Sequence, residues 1–269
     1  MAPGSIVEAL LRRETAITAG ALILLNVLAW LALLAGAGTG MSVVAMSGWW
    51  LPMSLPIGES WPWTPYCWLI AFVMWVVMMV AMMLPSAAPM VLLYAKVVRR
   101  ADQQSGKTEA AFSIANFAGG YLSLWILFSV LAVALQFALE RAGLMTVMMS
   151  SGSPVLSGVL LIGAGLYQLT PLKSACLEHC RSPAAYLANH WRAGALGPWR
   201  MGLGHGSYCV GCCAAIMLLL FVGGVMNLVW IAGLSIFVAL EKLAPFGAWI
   251  AKAIAIVLLL AGAALIVTA

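Results

Sequence analysis

Five of the six cysteines fall in two short stretches with the same internal spacing. Cys176-Leu-Glu-His179-Cys180 sets Cys, His and Cys at i, i+3 and i+4, and Cys209-Val-Gly-Cys212-Cys213 sets three Cys at those offsets. On a helix these offsets share one face. His205 precedes Cys209 by four residues, so His205, Cys209, Cys212 and Cys213 form one stripe if the helix starts early enough; Gly204 and Gly206 argue for a break there. Thiolates select Cu(I), Zn or Fe–S, and imidazole suits Cu and Zn. Two or three soft donors hold Cu(I), so a subset of these residues is enough. Zinc wants a closed set of four, which five Cys and two His could also supply, and it ranks behind copper. Packing of small apolar Cys between helices explains one such residue better than two matched triplets. Cys209-Val-Gly-Cys212 is also a C-x-x-C redox spacing, which makes a membrane thiol–disulfide relay the runner-up. Such a relay has no use for Cys213 or for the His inside the other triplet.

A second soft-donor pattern lies upstream. Met74, Met78 and Met82 stack at i, i+4 and i+8, flanked by Met79 and Met83, with Met90 beyond. Thioethers can form a path for Cu(I), and they can equally fill gaps in an apolar core. Pro85 and Pro89 break helix hydrogen bonds, and such breaks at membrane depth face protein or a cavity. Cys67, at the other end of this run, could receive or release a metal, or simply pack. Glu241-Lys242 reads as a local anchor at a helix end, and Asn116, Gln136 and Gln168 read as hydrogen bonders between helices.

The elements that carry these residues follow from composition. Of 269 residues, 64% are hydrophobic and 8% charged, and the mean hydropathy is +1.06. A soluble domain has about 45–50% apolar and about 25% charged residues. A soluble globular protein, a disordered chain and a secreted disulfide scaffold are therefore excluded, and an all-α polytopic transmembrane bundle in a lipid bilayer is expected as a single domain over 1–269. Apolar runs long enough to span cover 17–35, 67–96, 112–139, 155–170 (short), 208–240 and 245–267. The 35–37 exit of the first resembles a signal-peptidase site, but its length favours a retained helix. The 208–240 run is too long for one span, and Gly223-Gly224 and Asn227 suggest a turn inside it. The expected count is seven spans, or six if that run is one kinked element.

Thirteen Lys and Arg against eight Asp and Glu give +5; in such a chain the basic residues mark topology and not nucleic-acid binding. Arg12, Arg13, Lys96, Arg99, Arg100, Lys107, Lys173, Arg181, Arg192 and Arg200 place the N-terminus, the 96–110 loop and the 171–206 loop inside. The thiol/His cluster then lies in a cytoplasmic loop at the inner ends of neighbouring spans. The 41–66 stretch, with Trp49, Trp50, Trp61 and Trp63 and no Lys or Arg, is an outer interfacial loop. Ser182-Pro183 reads as an N-cap and first helical residue, opening a short interfacial helix with Tyr186, Leu187 and Trp191.

The 78–86 Met run, the stretches around Cys176–Cys180 and His205–Cys213, and Glu241-Lys242-Leu-Ala-Pro245 together resemble a bacterial family of predicted metal-binding integral membrane proteins, some of them copper chaperones accessory to tyrosinase. The match runs from roughly residue 67 to the C-terminus. It implies an inner-membrane copper-binding protein that supplies a periplasmic or membrane copper enzyme. The expected ligands are Cys176, Cys180, Cys209, Cys212 and Cys213, assisted by His179 and His205, with Met74, Met78 and Met82 as a path; no catalytic chemistry is needed. A third reading makes the chain an accessory subunit of a larger membrane complex with a structural metal site.

Overall fold

The computed structural model describes residues 3–47, 62–105, 109–146 and 149–269, without the side chains of 3–14, 45 and 105. Eleven α-helices run through the described residues. They are α1 (Pro3–Leu34), α2 (Val43–Met46), α3 (Pro65–Ser105), α4 (Ala110–Arg141), α5 (Pro154–Gln168), α6 (Pro171–Arg181), α7 (Pro183–His190), α8 (Gly197–Met217), α9 (Leu220–Gly223), α10 (Leu228–Leu243) and α11 (Gly247–Val267). Among the described residues the only strand-like pairing is an isolated bridge between Met145 and Ser151.

Among the described residues, five helical stretches are long and apolar enough to cross a membrane: Thr15–Leu34, Pro65–Gln104, Ala110–Arg141, Gly197–Gly223 and Gly247–Val267. The count becomes six if α5 and α6, bent by 65° at their junction, are taken as one broken span. The expected count of seven is not reached. One shortfall is α10, whose 16 residues extend about 24 Å at 1.5 Å per residue against an apolar core of about 30 Å. The turn expected inside 208–240 is present. Gly224 takes φ +97°, and the Asn227 side chain caps α10 by accepting from the Val229 and Trp230 amides at 3.1 and 3.2 Å.

Much of the 171–206 stretch, read from sequence as a polar loop, is helical. Thr170 caps α6 by accepting from the Lys173 amide at 3.2 Å, and Pro171 occupies its first turn. Pro183 opens α7, with Tyr186 and Leu187 buried, although Ser182 makes no side-chain capping bond. Helix α8 begins at Gly197, well before Tyr208. Gly202 and Gly206 do not break it; they let it press on α4. A Cβ at Gly202 would strike the Phe117 carbonyl, and one at Gly206 would lie 3.1 Å from the Tyr121 carbonyl oxygen. Small residues spaced by four are the common device for bringing membrane helices close.

Helix α3 continues through Pro85 and Pro89. The rings of both prolines are exposed and the methionines are buried, while the helix bond broken at Pro85 faces protein, as expected. Pro85 lacks an amide hydrogen, which releases the Ala81 carbonyl from its helical bond. Asn26 of α1 donates to that carbonyl at 2.9 Å. Of the three amides expected between helices, Gln136 accepts from Trp75 Nε1 of α3 at 2.9 Å. Gln168 bonds Lys173 across the α5–α6 bend. Asn116 is half-buried and donates to Phe112 O on its own helix at 3.0 Å.

Candidate metal centre

Helix α8 carries His205, Cys209, Cys212 and Cys213, all buried. The early start at Gly197 puts them on one continuous helix and sets the Cys triplet near its middle instead of at its end. Helix α6 packs against α8 and brings its own thiols to the same seam. Cys180 Sγ lies 3.8 Å from Cys212 Sγ, and Cys212 Sγ lies 3.3 Å from Cys213 Sγ. Cys180 also reaches Cys209. Cys176, one turn back on α6, packs on Gly211, whose absent side chain leaves room for the sulfur. The Cys212 thiol donates to the Cys209 carbonyl at 3.2 Å. Two thiolates on one tetrahedral ion with bonds of about 2.3 Å stand about 3.8 Å apart, which is the Cys180–Cys212 separation. Among the described residues no three His, Cys, Asp or Glu side chains form a ready-made metal site. All six thiols are free.

The site has neighbours that the sequence reading did not assign to it. Lys242 of α10 is 5% exposed and donates to Cys209 Sγ at 2.9 Å and to Ser86 Oγ of α3 at 3.2 Å. It is therefore not an interfacial anchor; its ammonium is buried on a sulfur. Glu241, its neighbour, is buried in an ion pair with Lys173 of α6. The Tyr121 hydroxyl of α4 sits 3.1 Å from Cys209 Sγ and 3.3 Å from the Met83 carbonyl. The signal for Lys242 and Glu241 was available, since ionisable groups at the end of an apolar run are functional candidates. Tyr121 carries no such signal.

The histidines divide. His205 is 3% exposed, packs beside Tyr121 and Tyr186, and its Nδ1 has no hydrogen-bond partner among the described residues. It sits one turn from Cys209. His179 stacks on Tyr208 of α8 at 4.1 Å and bonds Ala175 O through Nδ1 at 2.9 Å, so it too meets α8, beside Tyr208 and His190 and not at the sulfurs. Met74, Met78 and Met82 are fully buried in the same apolar core as Cys209, Cys212 and Cys213. Cys67 lies 16 residues before Met83, about 24 Å along α3. Trp63 packs on Trp68 and Phe137 and donates to Glu140 at 2.8 Å; Trp49, Trp50 and Trp61 lie outside the described residues.

No curated protein and no solved structure matches the chain. A family model described as PpoB2, copper chaperone, matches residues 72–265. That range takes in the methionine run of α3, both thiol stretches and the Glu241-Lys242 pair. The chain belongs to the PpoB2 copper chaperone family.

Proposed function

We propose that this protein is an inner-membrane Cu(I) chaperone that holds its cargo on thiolates at the α6–α8 seam and passes it to a periplasmic or membrane copper enzyme of the tyrosinase type. The observation that carries this reading is the meeting of Cys180 on α6 with Cys212 on α8 at 3.8 Å. Two helices supply the donors, so a small shift of α6 can make or break the site, which suits a carrier that must release its ion.

Cys180, Cys209, Cys212 and Cys213 are the assigned ligands, with Cys176 next along the seam and His205 one turn before Cys209 on α8. Two thiolates on one Cu(I) carry a net charge of −1. The Lys242 ammonium against Cys209 Sγ supplies the balancing charge where water cannot. A buried group without net charge avoids the large cost of an unpaired ion. Met74, Met78 and Met82 line the core beside this point and give the cargo a soft route along α3.

Elemental analysis of purified protein, with and without Cys209→Ser plus Cys212→Ser, tests the reading. Copper bound to the native chain and lost from the variant is the expected result. Equal copper content in both removes the thiol site. A reversible Cys209–Cys212 disulfide with no bound metal transfers the reading to a thiol relay.

A further inference from the structure

We infer that a cleft between α6 and α7 is a copper-docking port in which His179 and His190 take the ion before the thiols do. This rests on the proposed function and adds the route by which cargo reaches it. The cleft holds about 190 Å³ and is lined by Glu178, His179, Tyr186, Asn189 and His190, among others. The two imidazole rings face each other edge to face, with centroids 6.0 Å apart.

Both rings are prepared as ligands in the same way. His179 Nδ1 contacts the Ala175 carbonyl at 2.9 Å, and His190 Nδ1 contacts the Tyr186 carbonyl at 3.2 Å. A carbonyl oxygen only accepts, so each Nδ1 carries the hydrogen and each neutral ring keeps its lone pair on Nε2. Fixing the tautomer through a backbone carbonyl is the usual second-shell support of a metal-binding histidine. Each ring is pinned again by stacking, His179 on Tyr208 at 4.1 Å and 7°, His190 on Tyr186 at 4.6 Å and 10°. Glu178 is exposed beside them and adds negative charge for a cation. Two fixed imidazoles with open positions suit an ion arriving with part of its donor's ligand set.

The port adjoins the thiols. His179 and Cys180 are successive residues, separated by about 100° around the helix: His179 lines the cleft and stacks on Tyr208 of α8, and Cys180 meets Cys212 one turn further along α8. Behind Tyr186 lies His205, centroids 5.3 Å apart, with its unpartnered Nδ1 one turn from Cys209. The step is a ligand exchange: Cu–imidazole bonds break as Cu–thiolate bonds form, copper stays Cu(I), and any thiol proton displaced passes to water in the cleft.

Full-length protein in detergent micelles, given Cu(I) as its bicinchoninate complex, reads the rate of loading and the final copper content separately. His179→Ala with His190→Ala is expected to slow loading by at least about tenfold while the final content stays that of the native chain. An unchanged rate overturns the port. Loss of content together with rate also overturns it, because the histidines would then belong to the thiol site. A Cys209→Ser plus Cys212→Ser control that keeps its copper defeats the thiol reading instead. As a second readout, Cu(II) bound to a chain with Cys180, Cys209, Cys212 and Cys213 all changed to Ser should show nitrogen couplings from two imidazoles by paramagnetic resonance. Their absence counts against the port.

Discussion

Removing one charge of the Lys173–Glu241 pair should be far worse than removing both. The pair joins α6 to α10, and each side chain is 1% exposed. Lys173 also donates to the Gln168 side-chain oxygen, and Glu241 Oε2 has no partner among the described residues. Glu241→Leu leaves an ammonium in an apolar seam with one amide oxygen as neighbour. Breaking a buried pair from one side costs about 3–5 kcal/mol. Lys173→Met leaves the carboxylate stranded and should cost a similar amount. If the two changes were independent, the double variant would lose about 6–10 kcal/mol, twice the single-site cost. Replacing both charges by apolar residues of similar size is instead often neutral or even stabilising, so the double variant is expected near the native value. Reversible unfolding in mixed micelles of all four proteins gives the coupling energy. The same pair holds α6, with Cys180, against α10, with Lys242. Each single variant should therefore also lower the yield of Cys180–Cys212 cross-link by a short bifunctional thiol reagent. A Glu241→Leu protein as stable as the native one, or an additive double variant, refutes the assignment of this pair as a mutually dependent clamp.

Lys242→Met removes the counter-charge at Cys209 and should weaken Cu(I) binding by at least about tenfold without lowering the stability of the metal-free protein; competition with a Cu(I) chelator measures it, and an unchanged affinity refutes the charge-balance argument. Gly202→Val sets a Cβ 3.0 Å from the Tyr121 amide nitrogen and forces α4 from α8, at a cost of about 1–3 kcal/mol or more, read as a lower thermal midpoint. Trp75→Phe strips the Gln136 side-chain oxygen of its donor and should cost about 1–3 kcal/mol; adding Gln136→Leu should recover most of that loss in the same melt.

The helical, apolar character of the chain was legible because it is local. Period and composition report which residues share a face, and the stripe of His205, Cys209, Cys212 and Cys213 follows from offsets of three and four. The Gly224 turn and the Asn227 cap were legible for the same reason, since both are made by neighbouring residues. The start of α8 was misjudged because Gly204 and Gly206 look like breakers in isolation. Gly206 packs on α4 and Gly204 on Tyr186 of α7, contacts that exist only once those helices are laid against α8. That the proline rings of α3 point outward was not legible, since their direction depends on what covers the opposite side.

Sequence alone determined that sulfur and imidazole would be grouped on helical faces within an apolar chain, because spacing and hydropathy act over a few residues. Only the tertiary structure decided which of those groups meet. Cys180 reaches Cys212 across 32 residues of chain, and Lys242 joins Cys209 across 33 and Ser86 across 156. Such contacts arise from close packing of helices on small residues, and that depends on the whole set of neighbouring surfaces at once.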